Sequence, residues 1–278
     1  MEMKKVISKD GTPIAFQRTG SGPPLVLIHG GGASNHKRWD IGGVRAALAE
    51  HHTVYAVDRR GRGQSGDHSE YDIEREYEDV VAVAESIDEP VTLLGHSLGA
   101  NISLEASLRT DNIKRLILYE PGYPIGGHKF ASEEVVAGIQ DMIDQGEAEE
   151  ALILFMREVA SLSEEEIDVF RKDPGWESRL EAAHTLAREE KAVSGYRFDP
   201  DRFTNMNTPT LLLTGSETPP VFKESIKAVH NALPDSRVIT LEGQAHIAMN
   251  TAPELFIKKV LAFLEEDQAK QQIKNEDQ

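Results

Sequence analysis

The stretch that decides the fold is Val91-Thr92-Leu93-Leu94-Gly95-His96-Ser97-Leu98-Gly99, continued by Ala100-Asn101-Ile102-Ser103-Leu104-Glu105. Its first four residues read as a buried strand and the run after Gly99 as a helix, with G-x-S-x-G between them. In a chain with 22 Gly the pattern alone is weak; the strand–turn–helix setting is what gives it weight. A turn this sharp strains its central residue and crowds the adjoining backbone, so glycine on both flanks relieves contact. It also sets the Ser97 hydroxyl at a helix N-terminus, where backbone N–H groups favour developing negative charge. Ser97 is therefore the candidate nucleophile, against the plainer reading of a capping serine.

Outward from this point, apolar runs recur near 24–28, 53–57 and 113–119, continuous rather than alternating, as in strands covered on both faces. Strands near 4–8 and 13–19 form an opening hairpin turned by Asp10-Gly11, and helices are expected over 40–50, 74–87 and 98–109. From about 124 to 204 no strand pattern is found. Phe155, Met156, Val159 and Leu162 sit at helical spacing, and Ser163-Glu164-Glu165-Glu166 has the form of a capping box. Strand chemistry resumes at 209–214 and 237–241, with a helix between them. A last helix over 253–266 precedes a polar tail, Asp267 to Gln278, expected to fray. The prediction is an α/β fold with a mostly parallel, doubly wound sheet. Residues 1–123 and 205–278 form its core, and 124–204 form an inserted helical cap.

Composition narrows the function. The 278 residues carry 30 Lys and Arg against 47 Asp and Glu, a net charge of −17, which argues against nucleic acid and anionic lipid as partners. With no cysteine, thiolate nucleophiles and Cys-ligated metals are excluded. No apolar run approaches the roughly 18–20 residues of a membrane span. Met1-Glu2-Met3-Lys4-Lys5 leads into no apolar h-region, so a cytoplasmic protein, monomeric or a homodimer, is expected. No H-E-x-x-H occurs, and Gly20-Ser21-Gly22-Pro23, between two predicted strands, lacks the G-x-G-x-x-G pattern, so no metal and no nucleotide cofactor is expected.

Three further motifs, each following a predicted strand, accompany the elbow: His29-Gly30-Gly31-Gly32, Asp58-Arg59-Arg60-Gly61-Arg62-Gly63-Gln64-Ser65, and Gly243-Gln244-Ala245-His246. With them the chain resembles the α/β-hydrolase superfamily over nearly its whole length. The resemblance implies a triad in the chain order Ser, acid, His. Of ten histidines, His246 alone fits the base. His184 and His230 lie in helical patterns, His96 is read as packing, and His29 as shaping the loop after the third strand. The resemblance also implies an oxyanion hole from the backbone N–H groups of Gly31 and Leu98, against the plainer reading that the glycines only permit a tight strand exit. The Asp58–Ser65 loop is read as a structural turn with its arginines solvated.

The acid is the open point. Relatives most often carry Asp in a G-x-x-D context after the seventh strand, but here Gly215-Ser216-Glu217-Thr218 puts Thr218 in that slot. Glu120, ending Leu116-Ile117-Leu118-Tyr119-Glu120-Pro121, resembles the alternative placement in certain haloalkane dehalogenases and the zearalenone lactonases. It is preferred, with Glu217 as the alternative. Serine at the elbow suits attack on an acyl carbon, so the expected function is hydrolysis of a small carboxylic ester or lactone through an acyl-enzyme. A perhydrolase, a carbon–carbon bond hydrolase and a low-turnover ligand-sensing protein are the rivals. The expected partner is a small, neutral or moderately apolar acyl substrate. Phe130, Met142, Phe155, Met156, Trp176 and Tyr196 are candidate pocket residues, of which about one in three is expected to touch it.

Overall fold

Alternate residues of a buried strand go to opposite faces, and here each face finds its own core. The computed structural model describes residues 2–126, 129–173 and 175–276. Its eight strands are β1 (Glu2–Ile7), β2 (Pro13–Thr19), β3 (Pro24–Ile28), β4 (Thr53–Val57), β5 (Val91–His96), β6 (Ile113–Tyr119), β7 (Thr210–Gly215) and β8 (Ser236–Leu241). They form one sheet in the order β1-β2-β4-β3-β5-β6-β7-β8. The β1–β2 and β2–β4 pairs are antiparallel and every later pair is parallel. Leu25, Leu27, Leu94, Ile117, Leu211 and Leu213 enter one apolar cluster, while Val26, Ile28, Leu93, Leu116, Leu118 and Leu212 enter the other.

Helices cover both faces. The first part of the chain supplies α1 (Val44–Ala49), α2 (Ile73–Glu85) and α3 (Leu98–Ser107). Between β6 and β7 come α4 (Glu133–Asp144), α5 (Ala148–Glu158), α6 (Glu164–Arg171), α7 (Trp176–Glu181) and α8 (Leu186–Gly195), with no strand among the described residues there. The last are α9 (Pro220–Ala232), α10 (Ala248–Thr251) and α11 (Pro253–Glu276). Tyr77, Val80 and Val83 of α2, with Ile102, Leu104, Ile226 and Val229, cover one face. Phe256, Val260 and Phe263 of α11 cover the other. No helix among the described residues is long and apolar enough to cross a membrane.

Strand positions agree with the sequence reading to within two residues. Two expectations need correction. The helix expected over 40–50 is a 3-10 helix, His36–Gly43, followed by α1, because Gly42 and Gly43 take φ of 65° and 73° and interrupt it. The closing helix does not stop near 266: Gln, Lys, Ala and Glu are good helix formers, and no Gly or Pro stops it before Glu276. Met1 and the end of the tail, Asp277 and Gln278, lie outside the described residues. The capping box at Ser163 is present, the hydroxyl accepting from Glu166 N–H and the Glu166 carboxylate from Ser163 N–H.

Candidate active site

Loops at the C-terminal ends of the parallel strands, where open α/β sheets place ligands, help enclose a cavity. Ser97, His246, Gly31 and Leu98 all lie on its wall.

The strand β5 ends at His96 and α3 starts at Leu98, so Ser97 alone makes the turn. Its backbone takes φ 52° and ψ −125°, a conformation that costs a residue with a side chain about 1–3 kcal/mol. The turn is locked on both sides: Ser97 N–H donates to the Tyr119 carbonyl, and Ala100 N–H to the Ser97 carbonyl, each at 2.8 Å. Space explains the flanking glycines. A Cβ on Gly95 would lie 2.5 Å from the Gly99 carbonyl oxygen, and one on Gly99 2.3 Å from that of Ile28.

Glu120 follows β6 directly, fully buried and also at positive φ, 49°. Its Oε2 accepts from His246 Nδ1 at 2.6 Å, leaving Nε2 as the second ring nitrogen. Its Oε1 accepts from Gly215 N–H at 2.8 Å and from the Thr218 hydroxyl. A carboxylate without water needs such partners. Thr218, in the slot where relatives more often carry the acid, thus donates to an acid on the neighbouring strand. Glu217 is exposed, and its carboxylate accepts from the Ser216 hydroxyl at 3.2 Å. The structure brings Glu120 to His246, and not Glu217.

His246 is braced on several sides. The Phe222 ring stacks on it at 4.2 Å, and the His96 ring lies 4.8 Å away. His96 packs as the sequence suggested, but its Nε2 also donates to the His246 carbonyl at 2.9 Å. Burial and the adjacent His246 hold the His96 pKa well below the ordinary value, so its ring stays neutral. The Tyr119 hydroxyl donates to the Ala245 carbonyl and accepts from Ala248 N–H, closing the loop around His246.

The glycine loop is held from behind. His29 Nδ1 donates to the Gly30 carbonyl at 2.9 Å, and Arg59 donates to the same oxygen at 3.0 Å. His29 Nε2 accepts from Arg59 N–H, and burial followed by the charge of Arg59 keeps the ring neutral. Because the peptide is planar and trans, pinning Gly30 C=O turns Gly31 N–H the opposite way. The arginines of the Asp58–Ser65 loop are not solvated, contrary to expectation. Arg59 pairs with Glu76 and Glu189, Arg60 with Asp79 and Asp10, and Arg62 with Glu189. These carboxylates come from distant elements, α2 and α8 among them, which no local pattern reveals.

Of the candidate pocket residues, Phe130, Phe155 and Met156 line the cavity; Met142, Trp176 and Tyr196 do not. Phe170, Phe222, Arg38 and Arg179 line it unanticipated. His184 and His230 are exposed, outside the cavity wall. Among the described residues no three His, Asp or Glu side chains converge as a metal site would require.

Residues 25–259 match the profile of the alpha/beta hydrolase family. The chain belongs to that family. This hydrolase is similar to a solved alpha/beta hydrolase from Sphaerobacter thermophilus, with 32% identity and a TM-score of 0.81 over 94% of this chain and 100% of that one. It is 28% identical to the pimeloyl-[acyl-carrier protein] methyl ester esterase of Aeromonas hydrophila, over 90% of this chain and 99% of the esterase. It is 25% identical to the 2-hydroxy-6-oxo-6-(2'-aminophenyl)hexa-2,4-dienoic acid hydrolase of Metapseudomonas resinovorans, over 94% and 91% of the two chains.

Proposed function

We propose that this alpha/beta hydrolase is a serine hydrolase that cleaves a small carboxylic ester or lactone. Ser97 is the nucleophile, His246 the base and Glu120 the third member of the triad. The observation that carries this reading is the 2.6 Å contact of His246 Nδ1 with Glu120 Oε2, with His246 on the same cavity wall as the strained Ser97. Ser97 Oγ attacks the carbonyl carbon while His246 Nε2 takes its proton. Charge collects on the former carbonyl oxygen, where Gly31 and Leu98 N–H groups receive it. Collapse expels the alcohol, which leaves with the proton held by His246, and the acyl group stays on Ser97. Water, giving its proton to the same imidazole, then releases the acid and restores the serine. Glu120 keeps the imidazole in the useful tautomer and offsets its charge when protonated. In this reading residues 124–204 act as a cap that excludes water.

A fluorophosphonate should label Ser97, and Ser97→Ala should abolish both labelling and turnover of p-nitrophenyl esters. Glu120→Gln should lower kcat by about two orders of magnitude or more, with Glu217→Gln close to wild type. An unlabelled serine, or collapse of the Glu217 variant alone, overturns the assignment. Similarity to the dienoic acid hydrolase of Metapseudomonas resinovorans favours a second reading, cleavage of a carbon–carbon bond beside a ketone by the same residues. Turnover of a dienoate without turnover of any ester would select it.

A further inference from the structure

Arg38 and Arg179 differ from the other buried cations of this protein. Arg59, Arg60 and Arg62 each meet a carboxylate. Arg38 and Arg179 are only 5% and 7% exposed, yet among the described residues no ion pair reaches either. Arg179 donates to the Gly32 carbonyl at 2.7 Å. Arg38 donates to Asn250 Oδ1 and to the Met249 thioether at 3.1 Å, the latter a weak acceptor. Their guanidinium carbons lie 5.3 and 4.9 Å from the centre of the Phe170 ring, so one ring holds both.

Both cations lie on the wall of the cavity that holds Ser97 and His246. Burial, then the charge of Arg179, brings Arg38 down to about 9, and burial brings Arg179 down to about 10, so both remain charged at neutral pH. Asp173 acts on both but is not on the cavity wall, and its Oδ1 accepts from Gly175 N–H at 2.5 Å. Glu190, the one acid on that wall among the described residues, is pushed up to about 8 by burial and by Glu189. Both effects favour its protonated, uncharged form. Two cations face a site otherwise lined by groups such as Phe130, Phe155, Met156 and Phe222, and among the described residues no carboxylate but Glu190 stands on that wall with them. Buried charge left this way is costly, and a carboxylate supplies what the guanidiniums lack, charge and paired acceptors together.

We propose that Arg38 and Arg179 bind a carboxylate of the substrate, so that the enzyme acts on esters or lactones bearing a free acid remote from the scissile bond. The proposal rests on the serine-hydrolase reading above and deepens it. It replaces the neutral substrate expected from the sequence, because acidic charge outside is screened over about 8 Å while these cations sit within. Arg179 is tied to the glycine loop and Arg38 to α10, just after His246, so an anchored acid would adjoin both.

The test compares mono-p-nitrophenyl esters of succinate, glutarate and adipate with their methyl-capped, neutral counterparts. For at least one length, wild-type kcat/KM should favour the acid by about tenfold or more, and the ratio should fall toward one in Arg38→Gln and Arg179→Gln, chiefly through KM. A ratio near one at every length in wild type, or a ratio unchanged in both variants, overturns the proposal. Calorimetry of glutarate with Ser97→Ala separates this site from the chemistry. Binding that Arg179→Gln weakens at least about tenfold supports the carboxylate site even if wild type hydrolyses no ester, a result that would reject the reaction alone. Ser97-dependent hydrolysis with no preference and no glutarate binding rejects the carboxylate site alone.

Discussion

A buried carboxylate orients an imidazole only as well as its other oxygen is held. Glu120 Oε1 is held by Gly215 N–H and by the hydroxyl of Thr218, which itself accepts from Gly215 N–H at 3.1 Å. Thr218→Val keeps the shape and removes one donor, leaving Oε1 to Gly215 N–H and the more distant Thr214 hydroxyl, so that Glu120 is held less firmly against His246. We expect kcat to fall about tenfold with KM little changed, and Thr218→Ser to restore most of it. Equal kinetics for Thr218→Val and wild type would show that the backbone donor suffices. The same reasoning separates the two glutamates: Glu120 has a donor for each oxygen, while Glu217 faces solvent.

Between elements, close approach and buried charge set the energetics. The N-terminus of α3 abuts β3 so closely that a methyl at Gly99 would meet the carbonyl oxygens of Ile28 and His29 at 2.3 and 2.4 Å. Backbone at the centre of a sheet cannot yield, so Gly99→Ala should lower the thermal midpoint by several degrees or prevent folding, readable by circular dichroism. The helix α8 is anchored otherwise. Glu189 meets both Arg59 and Arg62, and Glu189→Ala would leave a buried cation short of charge, a loss of about 3–5 kcal/mol in urea unfolding. These cases also mark what the sequence can reveal. Leu25–Ile28 and Leu211–Leu213 announce their strands because both faces are covered, and Gly95–Gly99 announces the elbow because its geometry demands those residues. Arg38, Arg179 and the Glu189 network are silent, since their partners lie far away along the chain and nothing local distinguishes a buried arginine from a solvated one. Glu120 lay between these limits: the strand end was legible, while the donors that hold it arrive from β7 and the turn after it.

Over the whole molecule, buried titratable groups bend the stability curve in opposite directions. His29 and His96 are buried neutral, their pKa values well below the ordinary 6.5. Below that pH the unfolded chain binds protons that the folded one refuses, so stability falls as the solution turns acid. Glu190 acts on the other side. Folded, it keeps its proton up to about pH 8; unfolded, it ionises near its ordinary 4.5. Between those values the folded state holds the extra proton, and stability drops as pH rises, by at most about 1.4 kcal/mol per pH unit. Well above 6.5 these histidines no longer contribute, while the Glu190 effect continues until about 8. Glu190→Gln removes the ionisation and keeps the shape, so unfolding by urea at half-unit steps from pH 5 to 9 isolates it. The free energy of the variant minus that of wild type should climb steadily from pH 5 to 8 and level off beyond. A flat difference would mean that the Glu190 carboxyl ionises inside the cavity as readily as in water, and that the charge on the wall around Arg38 and Arg179 is already balanced at neutral pH.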